Sequence, residues 1–211
     1  DDDQPANECF GYSVSVQENT AVIGAYRDFD NGYEAGSAYV FVRDSSGAWH
    51  QQAELTPASP KDYDRFGWSV SVDRDTVVVG APTDSSKRED AGSAYIFTRD
   101  SSGNWSEQKR LQASDMKADD LFGSSVSVSA GNIVIGGAAE KAYIFSLSGS
   151  EISKLTEPSQ ADQDHFGSSV CTSDNTLLVG APEDNGATGS VYIYGSSPKN
   201  EFLPAILSLL L

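Results

Sequence analysis

The sequence contains few histidine, cysteine, methionine and basic residues. It has two histidines, two cysteines and one methionine in 211 residues, and 14 Lys and Arg against 31 Asp and Glu. The formal net charge of −17 repels phosphate backbones and anionic headgroups, so neither nucleic acid nor a bare membrane surface is an expected partner. Paired Cys or His spacing is also missing, which argues against a structural zinc site.

Long hydrophobic runs are missing as well. The apolar segment 202–211 is too short to cross a bilayer, which takes about 20 residues as a helix. We expect it to form the last strand or an assembly segment rather than to insert into a membrane. The chain starts at Asp1 without a methionine, which predicts a mature, processed N-terminus.

The sequence is built from a fourfold repeat. Each repeat has a Phe-Gly motif and, 14 residues after its phenylalanine, the glycine of a second apolar run; a fourth run ends on a leucine 11 residues before the next phenylalanine. The motifs begin at Phe10, Phe66, Phe122 and Phe166. Fixed offsets between some runs and variable lengths elsewhere are expected where a packed core constrains some connections and solvent surrounds the others.

Four runs per repeat predict four strands, here called a to d. Each run is four to eight residues long, rich in β-branched and aromatic residues, and bounded by turn residues, which is typical of strands. Four strands in a unit of about 50 residues, repeated, predict an all-β protein: a β-propeller of four four-stranded blades. We expect one domain, residues 1–211, with repeats at about 8–57, 58–113, 114–157 and 158–211.

The repeats resemble the FG-GAP family, whose name describes two motifs that stand here as Phe66-Gly67 and Gly80-Ala81-Pro82. The resemblance covers about residues 8 to 195. It implies the propeller fold of integrin α subunits. We expect the phenylalanine to fill space between blades and the glycine to let neighbouring backbone approach closely. Many members carry an Asp-rich calcium loop between strands a and b, but the four a–b turns here are too short and too poor in carboxylates to hold one.

The number of blades in the complete ring stays open at this point. Integrin-type propellers have seven blades, and four repeats cannot supply them. A closed four-bladed ring, a dimer that closes an eight-bladed ring, and a fragment of a longer protein are all compatible with the sequence. Because an open arc exposes strand edges that invite pairing, we expect closure or self-association.

Acidic residues gather at one end of the predicted blades. If strands alternate in direction, the b–c and d–a connections share one face, which receives 21 of the 31 acidic and seven of the 14 basic residues. Such crowding favours a cation or a basic partner, and calcium binds carboxylate oxygens. Alternatively, the aspartates cap turns and keep the surface soluble. The candidate calcium ligands are Asp28, Asp120, the trio Asp62, Asp64 and Asp84, and the trio Asp162, Asp164 and Asp184.

We expect no enzymatic activity. His50 and His165 occupy non-equivalent positions, and a serine near either indicates little because serine is abundant. Trp49 and Trp105, at equivalent starts of strand d, and Trp68 in strand a could stack on sugars. A carbohydrate-binding lectin is therefore an alternative, although packing within the blades is the simpler interpretation.

Two further features are a candidate disulfide and a glycosylation sequon, although two cysteines do not establish a redox compartment. Cys9 and Cys171 fall in the first and last repeats, where a disulfide would fasten the closure of the ring; a buried Cys171 with Cys9 unbridged is equally compatible. Asn104-Trp105-Ser106 is an N-glycosylation sequon on a c–d loop.

These observations predict a non-catalytic propeller, secreted or on the cell surface, that mediates adhesion, protein–protein interaction or assembly. Its acidic face would be a calcium-dependent contact surface, and calcium is the one cofactor that we expect. The alternatives are a lectin and a structural subunit of an extracellular polymer. Expected partners are another protein, a second copy of the chain, or glycans.

Overall fold

The computed structural model confirms an all-β propeller of four blades. It describes residues 8–157, 164–174, 176–196 and 202–205. Within them, four antiparallel sheets of four strands each follow one another along the chain, and the strands of each sheet are hydrogen-bonded in chain order. This order places the b–c and d–a connections at one end of every blade and the a–b and c–d connections at the other end.

The strands recur at equivalent positions in each repeat. Blade 1 consists of β1 (Ser13–Gln17), β2 (Thr20–Ala25), β3 (Ser37–Arg43) and β4 (Trp49–Leu55). Blade 2 consists of β5 (Ser69–Asp73), β6 (Thr76–Ala81), β7 (Ser93–Arg99) and β8 (Trp105–Leu111). Blade 3 consists of β9 (Ser125–Ser129), β10 (Asn132–Gly136), β11 (Lys141–Ser146) and β12 (Glu151–Thr156). Blade 4 consists of β13 (Ser169–Ser173), β14 (Thr176–Ala181), β15 (Ser190–Ser196) and β16 (Phe202–Ala205).

In the described part of the chain, helical structure is limited to one short, irregular turn, α1 (Asp184–Ala187), between β14 and β15. Among the described residues, no helix has the length and apolar character needed to cross a membrane.

The apolar C-terminal segment supplies the outermost strand of blade 4. Strand β16 pairs with β15, and Pro204 lies opposite Tyr194. An outermost strand tolerates proline because one of its edges needs no N–H donor. The rest of the predicted last strand, residues 206–211, lies outside the described residues.

The hydrophobic core lies between successive blades. Phe66, Phe122 and Phe166 are buried, and each meets a tyrosine of its own third strand edge-on, at centroid distances of 5.4, 5.5 and 5.3 Å. The preceding blade covers each ring with small aliphatic side chains, such as Val22 and Ala38 over Phe66. The interpretation of these three Phe-Gly motifs as core is confirmed.

Backbone atoms join the blades directly at the glycines of the two motifs. A Cβ at Gly24 would lie 2.0 Å from the carbonyl oxygen of Gly67, and one at Gly80 would lie 2.0 Å from that of Gly123. Only glycine permits so close an approach. The hydroxyl of Ser13 also donates to the Gly67 oxygen, at 2.8 Å. The Phe-Gly motif of one blade and the second-strand glycine of the blade before it therefore form two halves of one joint.

Blades 1 and 4 do not meet as the other neighbours do. The innermost strands β1, β5, β9 and β13 pack against one another in chain order, and among the described strands no comparable packing joins β13 to β1. Phe10, the blade 1 counterpart of the buried Phe66, is 55% exposed. The ring is therefore open between blade 4 and blade 1.

Candidate functional site

A tyrosine–aspartate pair, buried or half-buried, occupies the same end of every blade. The tyrosine comes from the third strand. Its hydroxyl donates to a carboxylate that lies either in the b–c loop of the same blade or in the d–a connection that precedes the blade. Burial and the adjacent acid raise the pKa of each tyrosine, so the hydroxyls stay protonated and act as donors. The pairs are Tyr39 and Asp28 at 2.5 Å, Tyr95 and Asp84 at 2.9 Å, Tyr143 and Asp115 at 2.9 Å, and Tyr192 and Asp184 at 2.9 Å.

Three of these aspartates also order their own b–c loops. Each accepts a backbone N–H from one or two residues further along, which is the turn-capping role considered above. Blade 3 has the shortest b–c connection, and there Asp115 of the d–a connection supplies the carboxylate instead. The capped N–H groups are those of Asp30 on Asp28, Ser86 on Asp84, and Asn185 on Asp184.

In blades 2 and 3, basic side chains neutralise the carboxylate of the pair, which is buried in blade 2 and half-buried in blade 3. Arg110 of β8 forms an ion pair with Asp84. Burial alone would raise the pKa of Asp84, but Arg110 and the hydrogen bonds outweigh it and hold the pKa below its usual range. In blade 3, Lys141 and Lys154 both contact Asp115, at 2.9 and 2.7 Å.

In blade 1, an acid replaces this base. Strand pairing puts Arg110 opposite Tyr95 and Lys154 opposite Tyr143, but Glu54 opposite Tyr39. Carboxylate oxygens of Glu54, Asp28 and Asp30 all lie within 4.8 Å of one another. Since Asp30 and Glu54 are exposed, water screens much of the repulsion in this group.

Blade 4 contains three buried carboxylates in contact. Oxygens of Glu157, Asp164 and Asp184 lie within 4.8 Å of one another, and all three residues are buried. Asp164 Oδ2 is buried without a hydrogen-bond partner among the described residues. Within the same part of the chain, neither Asp164 nor Asp184 forms an ion pair with a basic side chain. A hydrogen bond that protonated Asp164 makes with Glu157, together with burial, raises the pKa of Asp164 to about 6.

The trio predicted in blade 2 is arranged differently. Asp64 is buried beside Asp84, and burial together with the Asp84 charge raises the pKa of Asp64 to about 7. Asp62 instead accepts the backbone N–H of Tyr33 in the loop of blade 1, at 2.9 Å. Arg110 occupies the place that a cation would take.

Two other candidate ligands have separate positions. Asp120 accepts the N–H of Lys117 at 2.5 Å, which closes its own loop in the way that Asp64 does with Lys61. Asp162 lies outside the described residues. The carboxylate cluster of blade 4 therefore contains two residues of the predicted trio, Asp164 and Asp184, together with Glu157, which was not predicted.

Sequence reasoning missed Glu157, Glu54 and Asp115 and all four tyrosines. The tyrosine was visible as an invariant position of the third run. Glu157 stands two residues after the leucine that ends the fourth run, where blades 1 and 2 carry Pro57 and Ala113. A comparison of that position across repeats would have identified it.

The cysteines and the sequon lie away from this site. Cys9 precedes Phe10, and a hydrogen bond with Cys9 raises the pKa of Tyr26. Cys171 is exposed in β13, and no disulfide joins the two cysteines in the described structure, where blades 1 and 4 stand apart. Asn104 is exposed at the hairpin between β7 and β8.

The histidines are exposed and belong to different blades. His50 contacts Asp44 at 2.7 Å, and His165 contacts Glu183 at 3.0 Å. Among the described hydrogen bonds, neither imidazole has a serine or threonine hydroxyl as partner.

Arginine guanidiniums cover two of the three tryptophans. Arg43 lies 5.7 Å from the Trp49 ring centroid, and Arg99 lies 5.2 Å from that of Trp105. Trp68 packs against tyrosines instead, with Tyr12 at a centroid distance of 4.8 Å. Cation–π and aromatic contacts within the chain therefore use the faces that sugars would need.

Four consecutive blades with tyrosine–aspartate pairs at one end define a repeat-built β-propeller. A sequence model of the FG-GAP repeat matches residues 1–41, 49–97, 105–145 and 149–194. The chain therefore belongs to the FG-GAP repeat family, as the motifs predicted.

Other comparisons concern the fold alone. The crystal structure of the computationally designed Ika4 protein is similar, with a TM-score of 0.57 and 13% sequence identity over 91% of this chain and 94% of that one. No curated protein matches the chain. The FG-GAP propeller is generally a protein-interaction module, and this is the class to which the protein belongs.

Proposed function

We propose that this protein is a non-catalytic module, secreted or on the cell surface, that mediates adhesion or assembly through protein contacts. Its acidic loop end would present a calcium-stabilised surface. FG-GAP repeats are typically extracellular, and Asn104 is exposed where glycosylation would require it, which supports this location. Binding of sugars by Trp49 and Trp105 is less favoured because an arginine lies over each ring.

The calcium part of the proposal rests on the comparison between blades. Blades 2 and 3 neutralise the carboxylate beside the tyrosine with arginine or lysine. Blade 4 instead has Glu157, Asp164 and Asp184, and one oxygen of Asp164 is buried with no hydrogen bond to any described residue. Burying several carboxylates is costly unless a cation or a proton compensates them. A hard divalent cation with oxygen ligands fits this need, and Ca²⁺ accepts such irregular sets.

We expect calcium to raise the melting temperature. A ligand at about 100 times its Kd adds about 2.7 kcal/mol to the free energy of unfolding, which corresponds to roughly 5–10 °C for a chain of this size. Thermal unfolding followed by circular dichroism, in calcium and in EGTA, measures the shift. Asp164→Asn removes one ligand charge and should abolish the shift while the protein still folds.

Asp119→Asn provides the matched control. Asp119 is an exposed acid at the same end of the molecule, so this variant loses one negative charge without touching the cluster and should keep the full shift. An equal shift in Asp164→Asn and wild type would show that calcium acts elsewhere. No shift in the wild type would remove calcium from the proposal.

The affinity for calcium should fall in acid. Because the pKa of Asp164 is about 6, the carboxyl carries a proton below that pH, and calcium must displace this proton to bind. We expect Kd to be nearly constant above pH 7 and to weaken by up to about tenfold per pH unit below 6. Calorimetric titrations at pH 7.5 and 5.0 measure the change, and equal affinities at both would contradict the role of Asp164.

A further inference from the structure

Blade 1 has no preceding blade in the chain, and the face that would pack against one exposes apolar side chains. The equivalent side chains of blade 2 belong to the hydrophobic core. Phe10 is 55% exposed, Val14 69% and Val16 66%. Their counterparts in blade 2, which include Phe66 and Val70, are buried against the preceding blade. Exposed apolar side chains clustered on one face mark an interaction site more often than a free surface.

Blade 4 also has an uncovered face, and it is the one that in blades 1 to 3 packs against the next blade. Leu178 is 36% exposed and Val191 43%, whereas their blade 1 counterparts, Val22 and Ala38, are fully buried under blade 2. An open groove of about 550 Å³ lies at the end of this face. Its lining includes Ser169, Gly180, Ala181, Gly189 and Ser190.

The three internal joints show what fits this groove. A Cβ on Gly24, Gly80 or Gly136 would meet the Phe-Gly carbonyl oxygen of the next blade at about 2 Å. At the corresponding Gly180, the single neighbour within 3 Å among the described residues is the hydroxyl of its own Ser169. In blades 1 to 3 the serine equivalent to Ser169 donates to that same carbonyl oxygen. Blade 4 thus carries a complete socket for a Phe-Gly motif.

Blade 1 holds its own Phe-Gly motif in the docked conformation. Gly11 has φ +91°, and Gly67 has φ +90°. The N–H of Gly11 donates to the carbonyl of Gly24 at 3.0 Å, as that of Gly67 does to Gly80 at 3.1 Å. Because the backbone is already in place, little conformational entropy is lost when the motif docks.

The aromatic ring of this motif is in place as well. Phe10 lies edge-on to Tyr39 with centroids 5.5 Å apart, and Phe66 lies edge-on to Tyr95 at 5.4 Å. One chain therefore carries both halves of the inter-blade joint, one at each end, and these halves do not meet each other.

We propose that two copies of the chain associate head to tail into a closed eight-bladed ring. The Phe10-Gly11 motif of each copy enters the groove beside Gly180 of the other, so both open faces are covered. Two copies give eight blades, within the range of four to eight typical of propellers, whereas three would give twelve. Closure of the ring also prevents the open-ended growth that a head-to-tail contact otherwise permits. This inference names a partner for the assembly role proposed above, but it does not depend on calcium.

The solution mass of the full 211-residue chain tests the ring. Light scattering after size exclusion, over a range of micromolar concentrations and in EGTA, should give twice the chain mass of 22.4 kDa. Gly180→Ala places a methyl group against the partner's Gly11 carbonyl, and Val14→Glu places a charge on the opposite face. Both variants should elute as monomers with wild-type circular dichroism, because Val14 is exposed and the new methyl group at Gly180 meets, within 3 Å among the described residues, only the rotatable hydroxyl of Ser169.

Two controls match these variants. A Cβ at Gly195 meets none of the described residues within 4 Å, so Gly195→Ala should stay dimeric. Ile152 is an exposed aliphatic residue on the outermost strand of blade 3, so Ile152→Glu adds the same charge away from the joint and should also stay dimeric.

The proposal is overturned by a wild-type monomer throughout this range, by a mass that keeps growing with concentration, or by dimers that persist in both Gly180→Ala and Val14→Glu. The calcium-induced rise in melting temperature is measured separately on monomeric Val14→Glu. The solution mass therefore tests the eight-bladed ring, and the melting temperature of the variant tests calcium binding, so that either proposal can fail without the other.

Discussion

Gly80→Ala is expected to destabilise the protein by about 3 kcal/mol, near the upper end for overpacking a core. The added Cβ would lie 2.0 Å from the carbonyl oxygen of Gly123, and that atom cannot move without separating blades 2 and 3. For a chain of this length the melting temperature should fall by roughly 10 °C. Thermal unfolding monitored by circular dichroism measures it.

Gly195→Ala is the matched substitution, placed in a third strand where Gly80 lies in a second strand. Among the described residues no atom lies within 4 Å of its added methyl group, so it should change stability by no more than about 0.5 kcal/mol. If Gly80→Ala were equally mild, the blades would not be held by the backbone contact that the structure shows. Both substitutions change the unfolded chain in the same way. The difference between their losses of stability therefore measures the contact between the blades alone.

Arg110→Met should cost about 2–3 kcal/mol at pH 7.5. Arg110 is the base paired with the buried Asp84, and removing one partner of a buried pair typically costs about 3–5 kcal/mol. We expect less because Arg110 is partly exposed and solvent screens the pair. Methionine keeps the aliphatic packing beside Tyr95, so the loss of stability measures the effect of removing the positive charge of Arg110.

The loss in Arg110→Met should shrink in acid. Without Arg110, burial raises the pKa of Asp84 with less to oppose it, and we expect that pKa to lie above its unfolded value. A carboxyl with a raised pKa binds its proton more tightly when folded, so its penalty is absent at low pH and develops as pH rises through that pKa. Denaturant unfolding at pH 4.5 and 7.5 measures the change in the deficit.

Arg99→Met serves as the comparison. Arg99 pairs with the exposed Asp75 at 2.7 Å, and such surface pairs contribute about 0–1 kcal/mol. Similar losses in both variants, or a loss in Arg110→Met that is independent of pH, would contradict the neutralising role of Arg110.

Much of the blade architecture could be predicted because short connections leave no freedom. The 14 residues from Phe66 to Gly80 span β5, a tight turn and nearly all of β6, so an equal offset means an equal hairpin. The four hairpins pair in the same register, with the first serine opposite the glycine, as Ser69 is opposite Gly80. Spacing of this kind carries no information about the angle between blades, which is why ring closure stayed open.

The site could be predicted only in part. Strand order places Asp84 and Asp164 at the same end of their blades, and that follows from the sequence. Which base reaches which acid depends on the register of the outermost strand. A bulge between Ile96 and Phe97 sets this register and brings Arg110 opposite Tyr95, and a slip of one residue would turn Arg110 to the other face. No residue pattern in the sequence reveals this bulge.

The closest contacts between blades are made by main-chain atoms. A carbonyl oxygen of Gly67 meets the bare Cα of Gly24 and the hydroxyl of Ser13, and none of these groups depends on which side chains fill the rest of the blade. Blades can therefore diverge in their loops while they remain interchangeable at their edges. Duplication or deletion of one whole repeat leaves the same contact between each remaining pair of blades. Chains built in this way can therefore change length in steps of one blade without a new type of inter-blade contact.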